Sequence, residues 1–340
     1  MKRNPGISKG GSRSKKRILT AEEYVQGICS GNRIVLGQAI TLVESENPNH
    51  RHLANEILEA CLPHTGNSKR IGITGTPGVG KSTFIEATGK LLSEKGHKLA
   101  VLAVDPSSQR TGGSILGDKT RMPYLATSPQ AFVRPSPAGS TLGGVAAHTR
   151  ETILLCEAAG FDTIFVETVG VGQSETAVYG MVDFFLLLLQ PASGDELQGI
   201  KRGIVEMADL IAINKADGKL TEAAEKTRRE YNRALHLFPP KESGWAPKAN
   251  TCSALTGQGL EALWETIETY FSKTLSTGWL LENRRRQQKA WLHEALVSAL
   301  RKRIFEDKNL KGRLQKLESA VAEGRMSVPS AVSQLLAALE

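Results

Sequence analysis

Residues 75–82, "GTPGVGKS", set three glycines, a lysine and a hydroxyl at the spacing that a bound phosphate requires. Gly75, Gly78 and Gly80 free the backbone to turn its N–H groups inward around an anion, with Thr76, Pro77 and Val79 linking them. Lys81 brings a point charge, Ser82 a hydroxyl for a metal ion, and Thr83 continues into a helix. The partial positive charge at that helix N-terminus adds to the cradle, so a triphosphate is the natural occupant.

The base is read further along. "NKAD" at 214–217 closes an apolar run, and the Asp217 carboxylate can accept from both the ring N–H and the exocyclic amine of guanine. Adenine presents neither donor there. Asn214 either bonds to the outer edge of the ring or ties loops together, and the stem of Lys215 lies along the base. "SAL", formed by Ser253, Ala254 and Leu255, ends another strand, where backbone N–H groups can meet the guanine O6. These stretches in this order point to GTP and GDP.

Two acids follow apolar runs at positions where an α/β sheet presents ligands: Asp105 in "AVDPSS" and Glu167 in "VETVGVGQSE", the latter with Gly170. Mg²⁺ favours octahedral oxygen ligation and keeps several waters, so Ser82 with one or two such carboxylates suffices. The glycine-rich, polar stretch 110–122 suits a segment that senses the γ-phosphate, and its Asp118 is a candidate for metal-bound or water-positioning work. Hydrolysis needs an oriented water and stabilisation of the spreading charge. The candidate catalytic set is therefore Lys81, Asp118, Glu167, Gly170 and Gln173, the last as the residue that orients the water. Arg121, Arg150 and Arg202 are candidates for an arginine finger, but none is unambiguous. Slow intrinsic turnover, completed by a partner, is the expectation.

Holding these residues requires strands that end together. Short apolar, β-branched runs "RIGITG", "KLAVLAVD", "DTIFVET", "DFFLLLLQ", "LIAINKAD" and "ANTCSAL" alternate with helical stretches. The expected fold is α/β: a P-loop NTPase with a mainly parallel sheet covered by helices on both faces. "NRIVLGQAITLVES" and "RHLANEILEACLPHTG" read as N-terminal helices, and beyond residue 280 a charged amphipathic helical tail follows. The expected organisation is a basic tail (1–20), an N-terminal helical segment (21–66), the nucleotide-binding domain (67–275) and a C-terminal helical arm (276–340).

Composition narrows the function classes. Of the net charge of +8 in the 340-residue chain, seven basic residues lie in the first 20 positions, and without them the body carries about +1. A nearly neutral body argues against an extensive nucleic-acid surface. No apolar run approaches the roughly 20 residues of a membrane span. Cys29, Cys61, Cys156 and Cys252 show neither metal-ligand spacing nor a disulfide framework, which favours a reducing cytoplasm, with an organelle matrix as the second setting. The seven histidines do not cluster.

The longer stretches "AVDPSSQRTGGSILGDKTRM", "RPSPAGSTLGGVAAHTRETILLCEAAGFD", "VETVGVGQSE", "GDELQGIKRG" and "INKAD" resemble the MeaB/ArgK-type P-loop GTPases, called methylmalonic aciduria type A proteins in animals. The resemblance implies that Asp105, Asp118 and Glu167 lie around Mg²⁺ and the γ-phosphate, with Glu167 to Gly170 as the acid-x-x-Gly switch. It also implies a homodimer built through the C-terminal arm. The implied client is an adenosylcobalamin-dependent acyl-CoA mutase of the methylmalonyl-CoA mutase type, whose cofactor loading the GTPase gates and which it protects. Residues 194–203 would then face the mutase, with Lys201 coupling the two. The alternative is a kinase-like regulator of a basic amino-acid transport system, although no acceptor-hydroxyl base is evident.

Overall fold

The computed structural model describes residues 19–45, 47–104, 121–135, 142–168, 173–191 and 202–337. The expectations for Asp105, Asp118, Gly170, Lys201 and nearly all of the basic tail therefore lie outside the described residues.

Seven strands form one sheet: β1 (Lys69–Gly75), β2 (Leu99–Val104), β3 (Ala131–Pro135), β4 (Thr163–Thr168), β5 (Phe184–Leu189), β6 (Leu210–Ile213) and β7 (Lys248–Thr251). Their spatial order is β3-β2-β4-β1-β5-β6-β7, and every neighbouring pair is parallel. All strands consequently end at one edge, and β1 sits at the centre of that edge. The all-apolar β5 shows why the runs lack polar alternation. Phe184, Leu186 and Leu188 enter a core with Ile71, Phe165 and Trp264, Phe185 enters a second core, and Leu187 and Leu189 enter a third with Ile211 and Tyr231. Both faces are buried, so both must be apolar.

The sequence reading finds six of these strands and misses β3. Its five residues include Arg134 and end in Pro135, a composition that depresses a strand assignment. The position resolves the conflict: β3 is an edge strand paired with β2 alone, where a terminal proline leaves no ladder bond broken.

Three helices, α1 (Ala21–Cys29), α2 (Arg33–Val43) and α3 (Pro48–Cys61), pack against α6 (Leu142–Ala158) and share its core. α1 was not singled out by periodicity, yet its start is written as a capping box in which Thr20 and Glu23 satisfy each other's backbone N–H. The remaining helices among the described residues are α4 (Lys81–Glu94), α5 (Pro123–Thr127), α7 (Gln173–Tyr179), α8 (Arg202–Met207), α9 (Thr221–Leu235), α10 (Leu260–Ser276), α11 (Trp279–Glu306), α12 (Lys308–Ala322) and α13 (Val328–Leu336).

α11 has 28 residues, hence a length of roughly 42 Å at about 1.5 Å per residue. Its first turns are fastened to the domain: Arg284 donates to both Asp183 carboxylate oxygens at 2.8 and 2.6 Å, and Gln287 Nε2 donates to Val182 O at 2.7 Å. Farther along, Leu292, Leu296 and Leu300 are exposed. Trp279 and Trp291 lie under the guanidiniums of Arg286 and Arg150, so they serve the attachment and packing of this helix. Among the described residues no helix is long and apolar enough to cross a membrane.

Candidate nucleotide site

The glycine-rich loop leaves β1 between two neighbours, with Ile73 in register with Glu167 of β4 on one side and Leu186 of β5 on the other. Two glycines are obligatory for steric reasons. Gly75 has φ of 150°, and a Cβ there would stand 2.3 Å from Leu188 O. Gly80, at φ 94°, would press a Cβ to within 2.9 Å of Asn214 Nδ2. The loop thus folds close against the ends of β5 and β6.

Lys81, buried at the start of α4, donates from Nζ to Gly75 O at 2.7 Å and Thr76 O at 3.3 Å. Burial pulls its ammonium pKa down, and the carboxylates of Glu167 and Glu175 oppose that pull. Ser82 Oγ donates to Glu167 Oε1 at 3.1 Å. A hydroxyl beside a carboxylate at the edge of a phosphate loop is an oxygen donor pair of the kind Mg²⁺ takes, so these two side chains fit the ion. Thr168 Oγ1 donates to Thr74 Oγ1 at 2.8 Å, joining the ends of β1 and β4 and fixing where Glu167 stands. β2 ends at Val104, in register with Thr168. Gln173 opens α7, and its side chain lies outside the described residues.

The second half of the site is joined directly to the first. Asn214, 2% exposed, donates from Nδ2 to Val79 O at 2.9 Å and accepts at Oδ1 from the Ala254 N–H at 3.0 Å. Of its two possible roles, tying loops together is the one seen. Lys215 adopts φ of 61°, and its ammonium donates to Gly78 O at 2.7 Å and to Gln190 Oε1 at 3.3 Å. Its aliphatic stem therefore spans the ground between the phosphate loop and the 214–217 turn. The Ser253 hydroxyl donates to Asp217 Oδ2, which orients that carboxylate. The N–H groups of Ser253 and Ala254 are committed to Gln258 O and Asn214 Oδ1, and the exposed Leu255 carries the remaining amide of the triplet. Residues 75–83, 214–217 and 253–255 accordingly open on one edge of the sheet.

Some contributors were not singled out from sequence. Glu175, in the first turn of α7, is 1% exposed, receives the Ser174 hydroxyl at 3.3 Å and is one of the two carboxylates acting on Lys81. It stands within the quoted "VETVGVGQSE", where an acid buried beside the loop lysine looks like any helix-start glutamate. Gln190 and the Thr74–Thr168 pair are likewise visible only once β1, β4 and β5 are neighbours. Of the candidate fingers, Arg150 is buried against Glu294 and Trp291 of α11, and Arg202 pairs with Glu206 and covers Phe238. Both attachments are distant from the loop. Among the described residues no group of histidine, cysteine or acidic side chains gathers as a ready metal site.

The family model described as methylmalonyl-CoA mutase-associated GTPase MeaB matches residues 36–309. The chain belongs to the MeaB family. As a MeaB-family protein it is a P-loop GTPase that works with GTP, GDP and Mg²⁺. A probable GTPase of Mycobacterium tuberculosis is 49% identical over 93% of this chain and 94% of its own. The mitochondrial methylmalonic aciduria type A homolog of Mus musculus is 43% identical over 96% of this chain and 81% of its own. A crystal structure of an LAO/AO transport system kinase superposes with a TM-score of 0.74 at 38% identity, covering 94% of this chain and 97% of that one. The MeaB assignment and the loop geometry agree on a P-loop nucleotide site.

Proposed function

We propose that this MeaB-family GTPase is a chaperone that uses GTP to gate cofactor loading of an adenosylcobalamin-dependent acyl-CoA mutase and to protect that enzyme. Its nucleotide would lie across the edge where Asn214 joins the 214–217 turn to the phosphate loop; that junction supports the nucleotide site, and the family match supports the mutase client. Gly75 to Thr83 would hold the phosphates, Ser82 and Glu167 the Mg²⁺, with Asp105 and Asp118 completing its surroundings, and Asp217 the guanine. Gly170 and Gln173 would form the γ-phosphate sensor and water-orienting pair.

Asp217→Asn tests the base end. The carboxylate that accepts twice from guanine becomes an amide that must donate at one of those positions, so GTP affinity falls by about 10- to 100-fold. Xanthosine triphosphate, which presents a carbonyl where guanine has its amine, gains affinity. Displacement of a fluorescent guanine nucleotide measures both, and an unaltered preference for guanine sinks the base assignment.

The client is tested by GTP turnover with and without a purified adenosylcobalamin-dependent acyl-CoA mutase. Acceleration and a stable complex are expected; no response to any such mutase removes the chaperone reading. γ-Labelled GTP in the same mixture separates hydrolysis from phosphoryl transfer to protein, the outcome a transport-system kinase requires.

A homodimer through the α11–α13 arm belongs to this proposal. Leu292, Leu296 and Leu300, spaced by four along one stripe of α11, expose an apolar face that a second copy would cover. Leu296→Asp is expected to give a monomer by light scattering, and an undiminished dimer rejects the arm as the interface.

A further inference from the structure

A cavity of about 650 Å³ lies at the opposite edge of the sheet from the phosphate loop, under the root of α11. Asp183 and Phe184 at the start of β5 and Asp209 before β6 form its floor. The six residues of β5 separate it from the nucleotide edge by about 20 Å at roughly 3.3 Å per residue. Its volume falls in the range of small-molecule sites, about 300–1,000 Å³.

The floor is already neutralised. Asp209 accepts from Lys241 Nζ at 2.7 Å and from the Phe185 N–H at 2.9 Å, while Asp183 is held by Arg284. The walls differ. Arg202 covers Phe238 at 5.6 Å, and Arg286 covers Trp279 at 5.3 Å. A guanidinium stacked on a ring keeps its in-plane N–H fork for a carboxylate or phosphate. At present those forks meet Glu206, Glu242 and, at 3.5 Å, Glu282, whose side chains are 45%, 74% and 47% exposed. Such solvated ion pairs contribute little net stability, so an entering anion can take their place. Tyr179, also in the wall, is 41% exposed and presents further aromatic surface. Gln287 lines the cavity as well; its Oε1 is buried with no partner among the described residues, which leaves an acceptor for a ligand donor or a water.

We propose that this cavity is a second ligand site, for a small amphipathic anion: a planar, apolar body against Tyr179, Phe238 and Trp279, and an anionic group on Arg202 and Arg286. The lining carries four carboxylates (Asp183, Glu206, Asp209 and Glu242) and three cations (Arg202, Lys241 and Arg286), so binding proceeds by exchange of carboxylate partners and not through net charge. That requirement gives the site a signature. Removing a resident carboxylate tightens binding; removing its arginine weakens it.

The probe is 8-anilinonaphthalene-1-sulfonate, titrated into the full chain saturated with GDP and Mg²⁺ so that the nucleotide edge is filled. One saturable site per chain is expected, and neutral N-phenyl-1-naphthylamine binds at least about tenfold more weakly. Arg286→Ala weakens the sulfonate probe by about tenfold, and Glu242→Gln tightens it by about two- to fivefold. GTP hydrolysis by both variants shows that they fold. Equal affinity for the two probes, no saturable site, or insensitivity to both substitutions overturns the proposal. Loss of the site in Leu296→Ser also overturns it, because the probe then sits on the exposed face of α11.

Discussion

Lys81→Ala is expected to lower GTP affinity by about 10- to 150-fold, the equivalent of one charged hydrogen bond of about 1.5–3 kcal/mol to the phosphates. Hydrolysis falls further, since in the proposed site the lysine would also face the charge that spreads over the transferred group. The structure adds a second consequence. Lys81 lies among Gly75 O, Thr76 O and the carboxylates of Glu167 and Glu175, so its removal leaves buried acceptors and negative charge without their cation. Binding of the phosphates must therefore be recovered less well by Lys81→Arg than charge alone suggests, because a planar fork cannot reproduce a compact ammonium inside this turn. Calorimetric titration with GDP and a non-hydrolysable GTP analogue measures both variants. An unaltered affinity in Lys81→Ala rejects the placement of the phosphates in the 75–83 loop.

Arg284→Met is expected to destabilise the fold by about 3–5 kcal/mol, the usual consequence of stripping one partner from a buried ion pair. At about 2–4 °C per kcal/mol for a chain of this size, the melting temperature drops by roughly 6–20 °C. Arg284 is 8% exposed and engages Asp183 twice and Ser68 O at 2.5 Å, with a further bond to Gly66 O. Asp183 also accepts from the Arg70 N–H at 3.0 Å, at the beginning of β1. The substitution therefore strands a buried carboxylate and frees the root of α11 together. Asp183→Asn in the same chain removes the stranded charge while keeping an acceptor for Arg70, so the double variant recovers most of the loss. Thermal unfolding of the two single variants and the double variant gives the coupling. A loss below about 1 kcal/mol in Arg284→Met, with no recovery in the double variant, shows the pair to be effectively solvated.

The contrast between these two residues marks how far the sequence reaches. Lys81 announces itself because its chemistry depends on residues within one turn of it, and glycine spacing, ammonium and hydroxyl are all local. Arg284 sits in the run "RRR" at 284–286, indistinguishable by composition from its exposed neighbours until β5 places Asp183 opposite it. Asn214 falls between the two cases. Its position in "NKAD" was legible, but its bond to Val79 O and its acceptance from Ala254 require β1, β6 and β7 to end at a common edge.

By itself the sequence determined the parallel α/β architecture, the turn chemistry of the phosphate loop and the family, because each is written in short runs whose meaning depends on neighbours in the chain. The tertiary structure decided which groups face one another across 25 to 218 residues. It put Glu175 beside Lys81, turned Arg150 and Arg202 away from the phosphate loop, and admitted β3 as an edge strand. The cavity under α11 is wholly of this second kind, assembled from β5, α7, α8, the loop before β7, α10 and α11. Electrostatics and packing act through space, and only the fold fixes which distant side chains share it.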